Sequence, residues 1–282
     1  PLGAYRARVE AYVVKALREA KRTTSWRHPD PAHEQAAIDF VGWLLAGDVH
    51  ANPFLADFLP FQTRVAVVGA LKSLGQVAVK LAAPGVPDLY QGGELWDLSL
   101  VDPDNRRPVD FAERAHVLDT LAARLGRAAR PDADAVATVL ADWRSGAPKL
   151  LAISRLLDFR RRHAALLADG GYVPLETRGV HAGRLVAFAR VHEDACLVVV
   201  APHLPAAVHR GSAPRYAPGA WGDTAIDWEP LAGWTPTADV IVGTPADLVM
   251  TDGPPVLPVD GLLAGFPVVA VQATARDPGP GR

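Results

Sequence analysis

The chain of 282 residues is 49% hydrophobic and 21% charged, an ordinary globular balance with apolar material for one sizeable core or two smaller ones. Its formal net charge of −2 argues against nucleic acid or an anionic membrane as the main partner, since both select a concentrated positive surface, and leaves neutral substrates as the better fit. Cys196 is the sole cysteine, which excludes an intramolecular disulfide and makes the cytoplasm the default compartment.

No apolar run approaches the roughly 18 residues of a transmembrane helix, and "PLGAYRARVEAY" lacks a signal-peptide core, so a soluble, non-exported chain is expected. The start at Pro1 rather than methionine raises the expectation of a piece of a longer protein. In "AYRARVEAYVVKALREAK", Val9, Tyr12, Val13, Ala16 and Leu17 recur at helical spacing. "RTTSWRHPDP" stops that helix, and a second is expected from His33 to Ala46. Asn52 to Pro60 reads as an aromatic-rich turn, and a long buried helix runs from Phe61 to the break at "PGVP". "VPDLYQG", short, apolar and bracketed by Pro and Gly, suits one buried strand.

Pro108 to Arg127 is expected to be helical, followed by a linker at "RAARPDAD" and a helix up to Trp143. "APKLLAISRLLDFRRRHAALLADG" reads as one amphipathic helix ended by Gly170 and Gly171. From Tyr172 the pattern changes to short β-type runs, "YVPLET", "RLVAFARV", "ACLVVVAP", "AIDWEP", "ADVIVG" and "FPVVAVQA", with no further helix and a frayed tail "ARDPGPGR". The expected organisation is α/β plus all-β. A helical segment over residues 1–60 precedes a strand with flanking helices over 61–171 and an antiparallel β domain over 172–282.

The polar chemistry is concentrated in "PGVPDLYQGGELWDLSLVDPDNRRPVDF". Tyr90, Gln91 and Glu94 sit at the C-terminal end of the expected strand, where α/β barrels place functional side chains; the alternative is that Tyr90 packs and Glu94 ties down its loop. Asp102, Asp104, Asn105, Arg106 and Arg107 are residue types that hydrogen-bond sugar hydroxyls in pairs, with Trp96 offering a flat face; the alternative is a loop salt-bridged to itself. "KRTTSWRHPD" is a second candidate, in which Trp26 covers a sugar or serves as a packing anchor, and Ser25 caps a helix. The nine histidines show no zinc-ligand spacing, "DFRRRHAAL" reads as a solvated helix face, and Cys196 as a small buried hydrophobe. No P-loop, dinucleotide fingerprint or G-x-S-x-G elbow occurs.

"PGVPDLYQGGE" after a buried helix resembles the eighth barrel strand of the α-amylase family, Gly-x-Pro-x-x-Tyr-x-Gly-x-Glu, with Gly85, Pro87, Tyr90, Gly92 or Gly93, and Glu94 as matches. Its continuation "LWDLSLVDPDNRRPVDF", with "ALREAKRTTSW", "HPDPAHE" and "FLPFQTRVAVVGALKSLGQ", resembles the maltooligosyltrehalose synthases, the glucan 1-α-glucosylmutases of that family. The likeness is dense over Tyr12 to Phe111 and thinner through the β part, where "LVAFAR" and "WGDT" carry it.

The resemblance implies the late part of a (β/α)8 barrel with a helical insertion, followed by an antiparallel β-sandwich C-terminal domain. It implies conversion of the reducing-end α-1,4 bond of a maltooligosaccharide into an α,α-1,1 bond, with no cofactor and no metal. The His-Asp motif that carries a catalytic carboxylate in the family is missing here, so the catalytic carboxylates are expected in a preceding part of the same enzyme, and the fragment is expected to be inactive alone. Trp26, Tyr90, Gln91, Glu94, Asp102, Asp104, Asn105, Arg106 and Arg107 would then bind substrate. Two other readings stay open: a hydrolase or glucanotransferase of the same family, and a non-catalytic carbohydrate-binding module using Trp221, Trp228 and Trp234 as surface platforms.

Overall fold

The structure, a computed structural model, describes residues 2–49, 51–126 and 130–276. Arg127 to Ala129 of the expected linker, and the expected frayed tail beyond Arg276, lie outside the described residues. The chain forms two compact units: one is the sequence up to Val65 together with Asp97–Val109, the other Ala66–Trp96 together with everything from Asp110.

The first unit contains α1 (Leu2–Ala20), α2 (Pro31–Leu44) and the beginning of α3 (Pro53–Ala82). Asp30 starts α2 by accepting the amides of Ala32 and His33, and Pro31 at the first helical position loses no bond. Asn52 closes one helix and opens the next: its Nδ2 donates to the carbonyls of Leu44 and Ala46, and its Oδ1 accepts the Leu55 amide at 3.0 Å. The aromatic turn expected over Asn52–Pro60 is therefore helical. The Asn52 cap and Pro53 start α3 early, and the one hydrogen bond that Pro60 removes does not break it. Along its exposed side Phe54 stacks on Phe58, and Phe61 is tilted against Phe58.

The second unit holds the rest of α3, α4 (Phe111–Leu125), α5 (Ala133–Ala141), α6 (Ala147–Arg162) and α7 (Ala164–Ala168). By length and composition α3 could cross a membrane, contrary to the expectation that no such run exists; half of its apolar window is buried, with Val67, Leu71, Leu74, Ala78 and Leu81 in the protein core. The single helix expected over Ala147–Gly170 is broken at His163, whose backbone leaves the helical region and whose ring stacks on Phe159 at 4.3 Å. The break turns Leu166 and Leu167 into the core. At Gly170 a Cβ would meet the Leu166 carbonyl oxygen at 2.2 Å, so only glycine fits where the chain turns into the sheet.

Among the described residues eight strands follow: β1 (Gly171–Pro174), β2 (Thr177–Arg178), β3 (Leu185–His192), β4 (Ala195–Pro202), β5 (Ala225–Asp227), β6 (Trp234–Asp239), β7 (Val256–Pro258) and β8 (Val269–Ala275). They pair antiparallel in a five-stranded sheet, β1-β3-β4-β8-β6, and a three-stranded one, β2-β5-β7. β4 is buried on both faces. Leu197, Val199 and Ala201 meet α3, α4 and α6 in one core, while Cys196, Val198 and Val200 meet Ile226, Trp228 and Leu257 in another. The change of pattern at Tyr172 is thus a change of element type within a shared core. Further corrections concern the ends of elements. "ADVIVG" is the end of β6 plus a turn nucleated by Asp239, β7 was not foreseen, and a short helix α8 (Asp260–Gly265) follows it where none was expected.

No strand forms over Val86–Gly92. A strand needs partners for its amides and carbonyls, and all strand pairs among the described residues are antiparallel ones of the β part. Val86 is 96% exposed and Tyr90 78% exposed, so the segment is a surface run rather than a buried strand. The shown architecture is a mixed helical and antiparallel-sheet fold.

Candidate sugar-site residues and their surroundings

The candidate residues fall into both units: Tyr90, Gln91 and Glu94 in the second, Trp26 and Asp102–Arg107 in the first. In the second unit, the turn after Tyr90 is closed by the Gly93 amide on the Tyr90 carbonyl at 2.8 Å, with Gly92 at φ 87°. Tyr90 and Gln91 are exposed. Glu94 is not free-standing: Arg114 of α4 donates from Nε to its Oε2 at 3.0 Å, from Nη2 to the Gly92 carbonyl at 2.7 Å and from Nη1 to the Asp110 carbonyl at 2.8 Å. Trp96 is committed to packing. Its Nε1 donates to the Trp143 carbonyl, and Lys149, which donates to the Leu95 carbonyl at 2.9 Å, lies 5.8 Å from its ring centroid.

In the first unit, Asp104 is the centre of the 98–107 loop. Arg8 of α1 forks onto it, Nε to Oδ1 at 2.9 Å and Nη2 to Oδ2 at 2.7 Å, and Arg8 Nη2 also reaches the Leu98 carbonyl at 2.8 Å. The Leu100 amide donates to Oδ2 at 2.6 Å, and Arg107 donates to the Asp104 carbonyl at 3.0 Å. The Arg8 guanidinium holds the Asp104 carboxyl well below the usual range, at about 2. Arg106 pairs with Asp102 on the exposed side, the Asp102–Pro103 peptide is cis, and Asn105 is exposed. The self-bridged reading of this loop is therefore physically realised at Asp104, whereas Asn105 and Arg106 face outward.

Trp26 is 57% exposed with the Arg18 guanidinium 5.0 Å from its ring centroid. That guanidinium also forks onto Glu34 at 2.8 and 2.7 Å, and Thr24 Oγ1 donates to Glu34 at 2.6 Å. Arg18 first and Thr24 second hold the Glu34 carboxyl down at about 2. Ser25 accepts the His28 amide in a local turn, and Asp30, not Ser25, is the helix cap. Trp26 is thus an exposed aromatic face on a rigid polar base.

Sequence reasoning missed Arg8, Arg114, Arg18 and Glu34. Arg8 and Asp104 are 96 residues apart, and no spacing links them. Arg114 does sit four residues after its helix cap Asp110, but that spacing is common on helices. Trp221 and Trp228, expected as surface platforms, are fully buried, because both pack in the core between the two sheets. Among the described residues no group of three or more His, Cys, Asp or Glu could hold a metal ion.

No protein-family model matches the chain. It is 32% identical over 252 residues to a protein of Mycobacterium tuberculosis strain H37Rv provisionally named maltooligosyl trehalose synthase, an alignment covering 88% of this chain and 29% of the relative. Among solved structures, maltooligosyltrehalose synthase from Arthrobacter ramosus matches with a TM-score of 0.72 at 33% identity, over 95% of this chain and 30% of that one. Another crystal structure of a maltooligosyl trehalose synthase, 23% identical, shares the fold with a TM-score of 0.67. Over nearly its whole length, then, the chain is a relative of the maltooligosyltrehalose synthases and spans less than a third of one.

Proposed function

We propose that the whole protein is an intramolecular transglycosylase that turns the reducing-end α-1,4 bond of a maltooligosaccharide into an α,α-1,1 bond, and that it works in the cytoplasm. The observation that carries this reading is the 33% identity to the Arthrobacter ramosus synthase over 95% of the chain. In the retaining mechanism of the α-amylase family, a carboxylate nucleophile forms a glycosyl-enzyme and a second carboxyl serves as acid and then base. Those carboxylates belong to the part of the relatives that this chain does not span. In the whole protein, residues 86–92 form the last strand of a closed barrel, and the two sheets from Gly171 onward form a β-sandwich. The Val86–Tyr90 run, which pairs with no strand among the described residues, supports the first reading, and the core shared by the two sheets supports the second.

The chain contributes pocket wall. Tyr90 and Gln91 face the sugar, Glu94 braces the base through Arg114, Trp26 covers the reducing-end glucose, and Asp102, Asp104, Asn105, Arg106 and Arg107 form the wall where released glucose turns over. Such a wall matters because the glucose must present its anomeric hydroxyl to the glycosyl-enzyme before water does; holding it nearby and excluding water decides isomerisation against hydrolysis. With maltopentaose, the complete protein should lose reducing ends without chain shortening. Gain of reducing ends with shorter products would instead mark a hydrolase, and this chain alone should do neither.

A further inference from the structure

The 98–107 loop contains no regular element beyond a single 3-10 turn at Asp104–Arg106, so something other than backbone pairing must fix its shape. Two anchors do so, and both run to one side chain outside the loop. Arg8 takes the Leu98 carbonyl at the start of the loop and the Asp104 carboxylate at its middle. We infer that Arg8 is a positioning residue for the proposed glucose-retaining wall, and that Asp104 is its anchor rather than a sugar ligand. This inference rests on the reading of that loop as sugar-facing.

The acceptor count supports the assignment. An ionised carboxylate offers about four lone-pair sites. Asp104 receives Arg8 Nε, Arg8 Nη2 and the Leu100 amide, and Arg107 Nε stands 3.2 Å from Oδ1. Little capacity remains for a hydroxyl, and the Asp104 side chain is only 9% exposed. Its neighbours Asn105 and Arg106 are exposed, so a fork that fixes Asp104 fixes where they point. The fork geometry is specific to arginine: a planar guanidinium meets two carboxylate oxygens at once, and a lysine ammonium cannot.

The test uses the complete protein with maltopentaose. Arg8→Gln should raise free glucose relative to the isomerised product by about tenfold, with KM changed less than about twofold, since misplacement rather than lost binding is at work. Arg8→Lys should keep most of that defect. Combining Arg8→Gln with Asp104→Asn should add little to either single change, because both break one fork. If the wild type isomerises and Arg8→Gln lowers turnover and melting temperature while the product ratio stays fixed, Arg8 is only structural and the inference falls. If the wild type does not isomerise, the underlying reading falls. Hydrogen exchange at the Leu100 amide then judges the anchor by itself: faster exchange in Arg8→Gln keeps it, and unchanged exchange removes it.

Discussion

The two units use charge in opposite ways. In the first, few apolar side chains are buried, Val41 and Leu55 among them, and arginines clasp carboxylates: Arg8 with Asp104, and Arg18 with Glu34. In the second, two large apolar cores carry the fold, and the buried charged side chains Arg190 and Asp239 meet neutral backbone. Arg190, fully buried, donates to the carbonyls of Ala82, Leu167, Gly170 and Gly171, and Asp239 accepts the amides of Ile241, Val242 and Ala270. Asp104 and Glu34 of the first unit are held down at about 2, chiefly by Arg8 and Arg18, whereas burial pushes Asp239 up to about 6 against its three amides. One unit is stitched at its surface and the other is filled from within, so the two should respond differently to truncation and to pH.

The largest effect should come from the filled unit. Phe188 of β3 is buried in the core shared by the sheet and helices, so Phe188→Ala should cost about 3–5 kcal/mol in a denaturant titration. A cost near that of a surface change would mean that the core carries less than its burial suggests.

Asp239→Asn comes next. An amide offers one acceptor oxygen where the three backbone donors approach both carboxylate oxygens, so about 1–3 kcal/mol should be lost. The pH signature is more specific. Between the ordinary 3.8 and about 6 the folded protein holds a proton on Asp239 that the unfolded chain has released. That contribution to stability is present below about 4 and is lost as pH rises through about 6. Unfolding measured at pH 4 and pH 7 should show the decline in the wild type and not in Asp239→Asn.

This contrast also marks what the sequence could disclose. Apolar periodicity located α1, most of α3, β3, β4 and β8, because burial writes a period of 3.6 or 2 into the chain. It placed the end of β6 wrongly, since "ADVIVG" is apolar whether it pairs or turns, and the turn that Asp239 makes with the Ile241 and Val242 amides is also tied to Ala270, 31 residues away. The strand expected over Val86–Gly92 failed for a related reason: an apolar run becomes a strand only beside partners, which a local pattern does not show. At the candidate site, the sequence concentrated the right chemistry into one stretch but not its wiring. Asp104 and Arg107 look like equivalent sugar ligands until Arg8 is seen to occupy the carboxylate.

The stitched unit should answer to acid in the opposite direction from Asp239. Asp104 and Glu34 are depressed from 3.8 and 4.5 to about 2, so their stabilisation is complete above about 4.5 and is lost as pH falls through about 2. Hydrogen exchange in α1 and α2 should therefore accelerate between pH 4.5 and pH 2, while the amides of β4 remain protected. Glu34→Gln should bring part of that acceleration to pH 7 by weakening the Arg18 fork. Equal acid sensitivity in both units would remove the distinction.

The smallest effect should come from truncating an aromatic in the stitched unit. Phe58 stacks on Phe54 at 5.3 Å, yet both rings are exposed on α3, so Phe58→Ala removes little area from the interior. The change should stay within about 0.5 kcal/mol, as for surface positions generally, against several for Phe188. Both variants carry the same chemical truncation, and burial is the main difference between the two sites. A Phe58→Ala loss approaching that of Phe188→Ala would show that the stacked aromatics of α3 act as a core in their own right, and the first unit could no longer be described as held by its ion pairs.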